Sequence, residues 1–144
     1  MKLGLFMIPL CTILLGLGAP QKHTLTVKVT ALNEPTGNLF IALYNSEDSW
    51  MDTEQAVSTK IIPILEQKEI TLQFDGLASG EYGFAFFHDT NNNQEVDMQW
   101  LPPKPTEGIG ASNNATGSFG PPDWADAKFR LDTSTQKEAK MVYL

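Results

Sequence analysis

One polar segment of the chain, residues 88–97, carries oxygen-bearing side chains at every second position. Calcium prefers carboxylate, amide and carbonyl oxygens, and alternate spacing lets a short loop wrap around the ion. In such a loop the first, third and fifth positions supply side chains, the seventh supplies a backbone carbonyl, and the ninth binds directly or through water. The spacing therefore predicts a calcium site whose ligands, in that order, are Asp89, Asn91, Asn93, Glu95 and Asp97.

The loop lacks one ligand that a complete calcium site of this kind contains. Its twelfth position, where a bidentate glutamate is usual, is Trp100. Glu107 is the nearest acidic residue that can complete the coordination shell from outside, and Asn113 or Asn114 can also reach back. Two carboxylates and two amides predict a dissociation constant of about 10⁻⁵ to 10⁻³ M. The alternative is an Asn- and Asp-rich connection that is closed by side-chain hydrogen bonds without a metal.

His88 ends an apolar stretch and directly precedes the loop. A zinc or catalytic cluster needs several ligands, but the only other histidine is His23 and the only cysteine is Cys11. We therefore expect His88 to be a structural residue that bonds to the long segment after the loop.

Three aromatic residues, Trp100, Phe119 and Trp124, lie in or beside a segment rich in proline and glycine, residues 98–123. If these side chains are exposed together, they form a platform that binds a sugar ring or a peptide. If they are buried together, they form a small additional core that fixes the segment. No regular element is predicted within it, and a loop of that length in a compact domain is usually functional or held down by contacts.

The remaining sequence is typical of short strands separated by turns. Apolar and polar residues alternate over 24–32, which predicts a half-buried strand that forms a hairpin with the strand 39–44. Pro63 predicts an edge strand, and apolar residues on both faces predict a central strand at 81–88. The polar segment after the second strand is predicted to hold a helical turn that places Trp50 on the core. The predicted strands are 24–32, 39–44, 56–65, 68–74, 81–88, 128–131 and 138–144.

About seven strands without a long helix predict an all-β fold, a single antiparallel Greek-key β-sandwich of immunoglobulin-like form with one long loop. Residues 1–19 have a positive start, an apolar run and small residues, which predicts a secretory signal peptide before one domain at 20–144. The apolar run is shorter than the ~20 residues of a membrane span. We therefore expect a secreted or periplasmic protein with no membrane span after signal cleavage.

The formal net charge of −7 bears on the kinds of partner that the chain can bind. An acidic chain argues against binding to nucleic acid and to anionic membrane surfaces, and it is compatible with cation binding. Cys11 lies inside the predicted signal peptide, so no disulfide is expected in the mature domain. Its stability must come from the core or from a bound metal.

Two stretches together resemble a known family. Residues 75–89 read Asp-Gly-Leu-Ala-Ser-Gly-Glu-Tyr-Gly-Phe-Ala-Phe-Phe-His-Asp and lead into the Asn-rich loop, and residues 107–129 begin Glu-Gly-Ile-Gly-Ala-Ser-Asn. This combination is similar to the DUF2141 family of exported bacterial proteins, whose function is not established. The resemblance covers most of residues 24–144. It implies a transthyretin-like or carboxypeptidase-regulatory-like β-sandwich outside the cytoplasm, and it implies no known activity.

One residue departs from the pattern of that family. The sixth loop position is usually glycine, because the sharp turn of a calcium loop favours a positive φ there, and in this chain it is Gln94. A glutamine with such a φ is expected to cost roughly 1 kcal/mol of stability. Asn93 beside it tolerates unusual φ values and is expected to share the strain.

These observations predict an exported, non-catalytic β-sandwich module that is stabilised by calcium and has a binding or structural role toward a protein or carbohydrate at the cell envelope. The alternative is a carbohydrate- or peptide-binding module that uses the aromatic residues of the long loop. A hydrolase of transthyretin-like fold is disfavoured. Hydroxyisourate hydrolases of that fold end in Tyr-Arg-Gly-Ser and carry active-site histidine and arginine residues, whereas this chain ends Met-Val-Tyr-Leu and Arg130 is its only arginine. A stalk domain with an isopeptide bond from Lys28, assisted by Glu81, is disfavoured because the last strand, 138–144, contains no asparagine.

Overall fold

The computed structural model describes residues 18–144, so the predicted signal peptide lies outside the described residues except for its last two positions. Within the described residues there are ten strands, two 3-10 turns (Thr53–Gln55 and Ser112–Asn114) and one short helix, α1 (Trp124–Ala127). In this part of the chain, every helix is too short to cross a membrane. The strands are β1 (His23–Thr30), β2 (Asn38–Tyr44), β3 (Ser58–Pro63), β4 (Ile70–Leu77), β5 (Gly80–Asp89), β6 (Met98–Gln99), β7 (Lys104–Pro105), β8 (Ile109–Ala111), β9 (Phe129–Leu131) and β10 (Thr135–Lys140).

Three strands form the first sheet, in the order β10-β1-β4. The side chains of β1 alternate between buried and partly exposed, which confirms the predicted half-buried strand. Its pairing with β4 is antiparallel, and its pairing with β10 is parallel, with Leu25 opposite Thr135. The prediction of a purely antiparallel fold is therefore wrong at this pair. Sequence patterns report the faces of a strand, and they carry no information on the direction of its neighbour.

The second sheet has the order β3-β2-β5-β8, and β9 pairs with the beginning of β5. β5 is hydrogen-bonded to neighbours along both edges, as its apolar residues on both faces predicted. β3 lies at the edge of the sheet, as Pro63 predicted. The order of the strands places the end of β5, residues His88 and Asp89, next to the start of β2 at Asn38 and Leu39.

The two sheets enclose one hydrophobic core between them. Alternate side chains of β1, β2, β4 and β5 point into it, so the other faces of both sheets are available for separate contacts. The core residues from the first sheet are Leu25, Val27, Val29, Ile70, Leu72, Phe74, Leu77 and Ala139. Those from the second sheet include Leu39, Ile41, Leu43, Tyr82, Phe84, Phe86, Phe129 and Leu131.

The predicted hairpin between the first two strands is wrong, because β1 and β2 lie in different sheets. β1 buries one face, whereas almost every residue of β2 is buried. A strand that is buried on both faces needs a second layer of contacts. The connection between the two strands therefore crosses from one sheet to the other.

The prediction that residues 98–123 are irregular is also wrong in part. The segment contains β6, β7, β8 and the 3-10 turn Ser112–Asn114. These elements have two or three residues each, which is too short for a recognisable periodicity in the sequence. The seven predicted strands each have a counterpart, and these three short strands are the additional ones.

A second cluster of aromatic side chains covers the outer face of the second sheet. Trp50 packs here, with its ring centroid 5.2 Å from that of Tyr44 and 5.5 Å from that of Trp124. Its Nε1 donates a hydrogen bond to the Pro122 carbonyl at 2.7 Å. The polar segment contains the predicted helical turn, Thr53–Gln55, but the prediction that Trp50 lies on the main core is wrong, because its ring packs on this outer cluster.

Candidate metal-binding loop

The Asp/Asn-rich loop begins at the end of β5, where the side chains are fully buried. β5 delivers His88 and Asp89 to its carboxyl end, where the solvent-exposed fraction of both residues is 0%. A buried carboxylate has to be hydrogen-bonded or paired to offset its loss of hydration. The Asp89 carboxylate therefore needs hydrogen-bond donors at the point where the chain leaves the sheet, and the donors that it binds determine the shape of the loop.

Asp89 closes the loop by accepting backbone hydrogen bonds from its far side. Its Oδ1 accepts from the Asn93 N–H at 3.2 Å, and its Oδ2 accepts from the Gln94 N–H at 3.0 Å. Gln94 has a φ of 62°, the positive value that the family resemblance implied for the sixth position. Asn92 also has a positive φ, 60°. The first and sixth positions are thus joined across a sharp turn, as a calcium-binding loop requires.

The other predicted ligands form a connected network above Asp89. The Oδ1 atoms of Asn91 and Asn93 accept the backbone N–H two residues later, at 3.1 and 3.0 Å. The Nδ2 atoms of the same two asparagines donate to the two carboxylate oxygens of Asp97, at 2.6 and 2.9 Å. The side chains of the third and fifth positions therefore meet that of the ninth, and the first position joins them through backbone N–H groups. Glu95 is exposed, and its predicted contribution is only its backbone carbonyl.

Glu107 lies under the loop and is buried, with 4% of its surface exposed. Its Oε1 accepts from the Thr90 N–H at 2.8 Å and from the Thr90 hydroxyl at 2.9 Å. Its Oε2 accepts from the Asp97 N–H at 3.2 Å. Glu107 therefore meets the loop from outside, as predicted, and it braces both ends of the loop through two backbone N–H groups and the Thr90 hydroxyl. Its predicted role as a metal ligand stays a prediction.

Several residues of this arrangement were not predicted from the sequence. The Thr106 N–H and hydroxyl both donate to the Asp97 carbonyl, at 2.9 and 3.2 Å. Asn38 donates through its side chain to the Asn92 side chain. Thr90 and Thr106 flank the predicted ligands directly in sequence, which is a signal that hydroxyl groups are available to close the loop.

The arrangement is suited to an oxygen-preferring cation more than to a transition metal. Among residues 18–144, no three His, Cys, Asp or Glu side chains come close enough together to hold a metal ion by themselves. Amide and carbonyl oxygens would have to complete the shell, which calcium accepts and zinc does not. The donor set of two carboxylates, two amides and one carbonyl fits calcium. The same hydrogen bonds also fit the alternative of a metal-free closed connection, so calcium binding stays a prediction.

His88 has a structural role with partners other than those predicted. Its Nε2 donates to the Thr36 carbonyl at 2.6 Å, and its Nδ1 lies 2.9 Å from the Tyr143 hydroxyl. Burial raises the pKa of Tyr143, and the same hydroxyl accepts from the Asn33 N–H at 3.3 Å. Only the backbone of His88 bonds to the long segment, through its N–H to the Gly108 carbonyl. The ring instead ties the loop's origin to the turn before β2 and to the C-terminal residues.

Asn113 and Asn114 do not reach back to the loop, which corrects that prediction. The Nδ2 of Asn113 donates to the carbonyls of Asp126, Ala127 and Lys128 at 3.0 to 3.1 Å. The Oδ1 of Asn114 accepts from the backbone N–H of a β10 residue at 2.8 Å. Both asparagines have positive φ values, 59° and 51°. They hold the turn after β8 to α1 and to the first sheet.

The three aromatic side chains of the long segment are neither exposed together nor buried together. Trp100 and Phe119 are 90% and 106% exposed, whereas Trp124 is 7% exposed. Trp124 belongs to the outer cluster around Trp50. A platform formed by all three is therefore excluded, because the face of Trp124 is covered.

Replacing Gln94 with glycine is expected to raise the free energy of unfolding by about 1 kcal/mol, because glycine adopts a φ of +62° without steric cost. Chemical denaturation measures this change. The matched control is Gln73→Gly, at an exposed β4 position where the φ is ordinary and glycine should lower stability. A Gln94→Gly variant that is no more stable than the wild-type protein would show that Gln94 is not strained.

Comparison with known proteins identifies a family. The family described as "Uncharacterized protein conserved in bacteria (DUF2141)" matches residues 27–139, which span β1 to β10 and include the whole loop. No curated protein and no solved structure matches the chain. The match covers well over half of the sequence and contains every predicted ligand, so the chain belongs to the DUF2141 family.

Proposed function

We propose that this protein is an exported, non-catalytic β-sandwich module whose Asp/Asn-rich loop binds calcium, and that it has a binding or structural role at the cell envelope. The observation that carries the proposal is the closure of the loop from Asp89 to the N–H of Gln94, with a positive φ at this sixth position. That backbone shape brings alternate side-chain oxygens to one side of the loop.

The strain at Gln94 is an argument for a function of the loop. A non-glycine residue with a positive φ costs stability, and this loop has such residues at both Asn92 and Gln94. A simple connection between β5 and β6 does not need a sharp turn of this kind. A bound cation offsets the cost, because it interacts with oxygens that are held together only in this backbone shape.

We also propose that the two sheets form a Greek-key β-sandwich of transthyretin-like type. The shared core between the sheets and their non-sequential strand orders support this proposal. The crossing of the chain between sheets after β1 is typical of such sandwiches. An experimental structure that is compared with the known sandwich families tests this part.

The proposal of a non-catalytic protein is supported by the contacts of its chemically capable residues. Both ring nitrogens of His88 and the carboxylates of Asp89 and Glu107 are engaged with fixed groups of the fold. His23 Nε2 lies 2.9 Å from the Ser79 hydroxyl. A serine nucleophile works with a histidine that a third group orients, and within residues 18–144 the His23 ring has no carboxylate partner.

Calcium is expected to stabilise the protein in thermal or urea unfolding. At about 10 mM calcium, the predicted range of dissociation constants corresponds to about 1.4 to 4.1 kcal/mol of added stability. Magnesium at the same concentration is expected to give a much smaller effect, because it demands octahedral geometry and releases its water reluctantly. Unfolding is measured after treatment with a chelator and again with each ion.

The variant Asp97→Asn tests whether this effect arises in the loop. Asp97 is partly exposed, and asparagine keeps its shape while it removes a charge, so the fold is expected to survive. The calcium effect should fall by at least half, whereas Asp132→Asn, at an exposed carboxylate beside Arg130, should leave it unchanged. Equal calcium effects in both variants, or no calcium effect in the wild-type protein, would overturn the calcium proposal.

A further inference from the structure

The β6–β7 hairpin carries an exposed apolar tip directly after the loop. Its side chains Met98, Trp100 and Leu101 are 58%, 90% and 79% exposed. Pro102 and Pro103 complete the turn and are also exposed. Contiguous exposed apolar residues that contact little of their own protein mark a surface for another molecule.

The hairpin is an ordered projection and not a loose loop. Met98 pairs with Pro105, and Gln99 pairs with Lys104. The Nε2 of Gln99 donates to the Leu101 carbonyl at 2.9 Å, which braces the turn from inside. At the base, the backbone N–H and carbonyl of Asp97 are both bonded, to Glu107 and to Thr106. The tip is therefore held away from the sheets in a defined orientation.

The chemistry of the tip selects among partners. A carbohydrate site combines an aromatic face with side chains that bond to sugar hydroxyls. Beside Trp100, however, Leu101, Pro102 and Pro103 have no polar side-chain atoms, and the Gln99 amide nitrogen already donates to carbonyls of the turn. A pocket-forming site needs concave walls, whereas side chains with 79–90% exposure project outward. A lipid bilayer, in contrast, accommodates projecting apolar side chains without a cavity of matching shape. Tryptophan in particular favours the boundary between lipid headgroups and acyl chains.

We propose that the tip formed by Met98, Trp100 and Leu101 docks the protein reversibly on a lipid surface by entering the headgroup–acyl boundary. The charge of the chain specifies the kind of lipid. The net charge is −7, and Glu95 and Asp97 lie just before the tip, opposed locally by Lys104. Anionic headgroups repel this arrangement, so the surface is zwitterionic phospholipid. This inference goes beyond the proposed function and does not require calcium.

Sedimentation of the purified protein with phosphatidylcholine vesicles tests the proposal. Trp100→Ser/Leu101→Ser is expected to reduce the partition coefficient by about tenfold or more, because two apolar side chains no longer enter the bilayer. Both residues are almost fully exposed, so folding should be unaffected, and an unchanged unfolding midpoint verifies this. The matched control is Phe119→Ser, which removes an equally exposed aromatic side chain outside the hairpin and should leave partitioning unchanged.

Two further comparisons complete the test. Vesicles in which about a third of the lipid is anionic phosphatidylglycerol should bind more weakly in a chelator at low salt. Absence of wild-type binding to phosphatidylcholine, or an equal loss in Phe119→Ser, would overturn the proposal. Calcium-dependent unfolding is measured separately. Stabilisation by calcium without vesicle binding rejects only the lipid proposal, and vesicle binding without stabilisation by calcium rejects only the calcium proposal.

Discussion

Replacement of Glu107 by alanine is expected to lower the free energy of unfolding by about 3 kcal/mol. The carboxylate is buried and accepts three hydrogen bonds, two from Thr90 and one from the Asp97 backbone. Alanine leaves these donors without a partner at the base of the loop. The loss is expected even in a chelator, because the contacts that alanine removes are made to protein groups and not to calcium.

Urea unfolding and amide hydrogen exchange check this prediction together. The N–H groups of Thr90 and Asp97 should exchange faster in Glu107→Ala, whereas those of β2 should change only in proportion to global stability. Glu95→Ala is the matched control, because Glu95 is an exposed glutamate of the same loop and its removal should cost less than about 0.5 kcal/mol. A loss below about 1 kcal/mol in Glu107→Ala would show that water replaces the carboxylate.

The strands could be predicted because their signal is local. Alternation over β1, apolar residues on both faces of β5 and a proline in β3 each specify how a strand is buried, and the structure confirms all three. Burial is decided by the side chains of the strand itself. The family was likewise recognised from contiguous residues, and the match over 27–139 confirms it.

The pairing of the strands could not be predicted in the same way. β1 pairs with β10 and β4, which are distant in sequence, and not with its sequence neighbour β2. Which strands pair, and whether they run parallel or antiparallel, depends on which strand faces are buried in the same core. That is a property of the whole chain and not of one strand. The short strands β6 to β8 form because the ends of the segment are fixed at Asp97 and at β5. Their own sequences therefore contain little of the periodicity that predicts a strand.

For the candidate site, the sequence identified the loop residues and not their contacts. It placed Asp89, Asn91, Asn93 and Asp97 in one loop, and they converge there. It could not show that Glu107 bonds to backbone N–H groups, because a carboxylate oxygen accepts from an N–H as readily as it binds a cation. Which interaction a carboxylate makes depends on the groups that the fold brings to it.

Replacement of Gly37 by alanine is expected to lower the free energy of unfolding by about 3 kcal/mol or more. Gly37 has a φ of +84°, and a Cβ added to it would lie 2.5 Å from the Asp89 carbonyl oxygen and 2.9 Å from the Thr90 Cα. Both neighbours are backbone atoms, so neither can move without shifting the origin of the loop. The variant therefore combines an unfavourable φ with a displacement of the predicted first ligand.

Gly76→Ala separates these two contributions. Gly76 also has a positive φ, +70°, but a Cβ added to it would have no atom within 4 Å, so only the backbone strain of about 1 kcal/mol is expected. Urea unfolding measures the difference between the two variants, which reports the close packing of Gly37 against Asp89 and Thr90. Because that packing fixes the loop, the calcium-induced stabilisation should shrink in Gly37→Ala and persist in Gly76→Ala. Equal losses of stability in both variants would mean that the turn before β2 yields to the added methyl group, and that the loop does not depend on it.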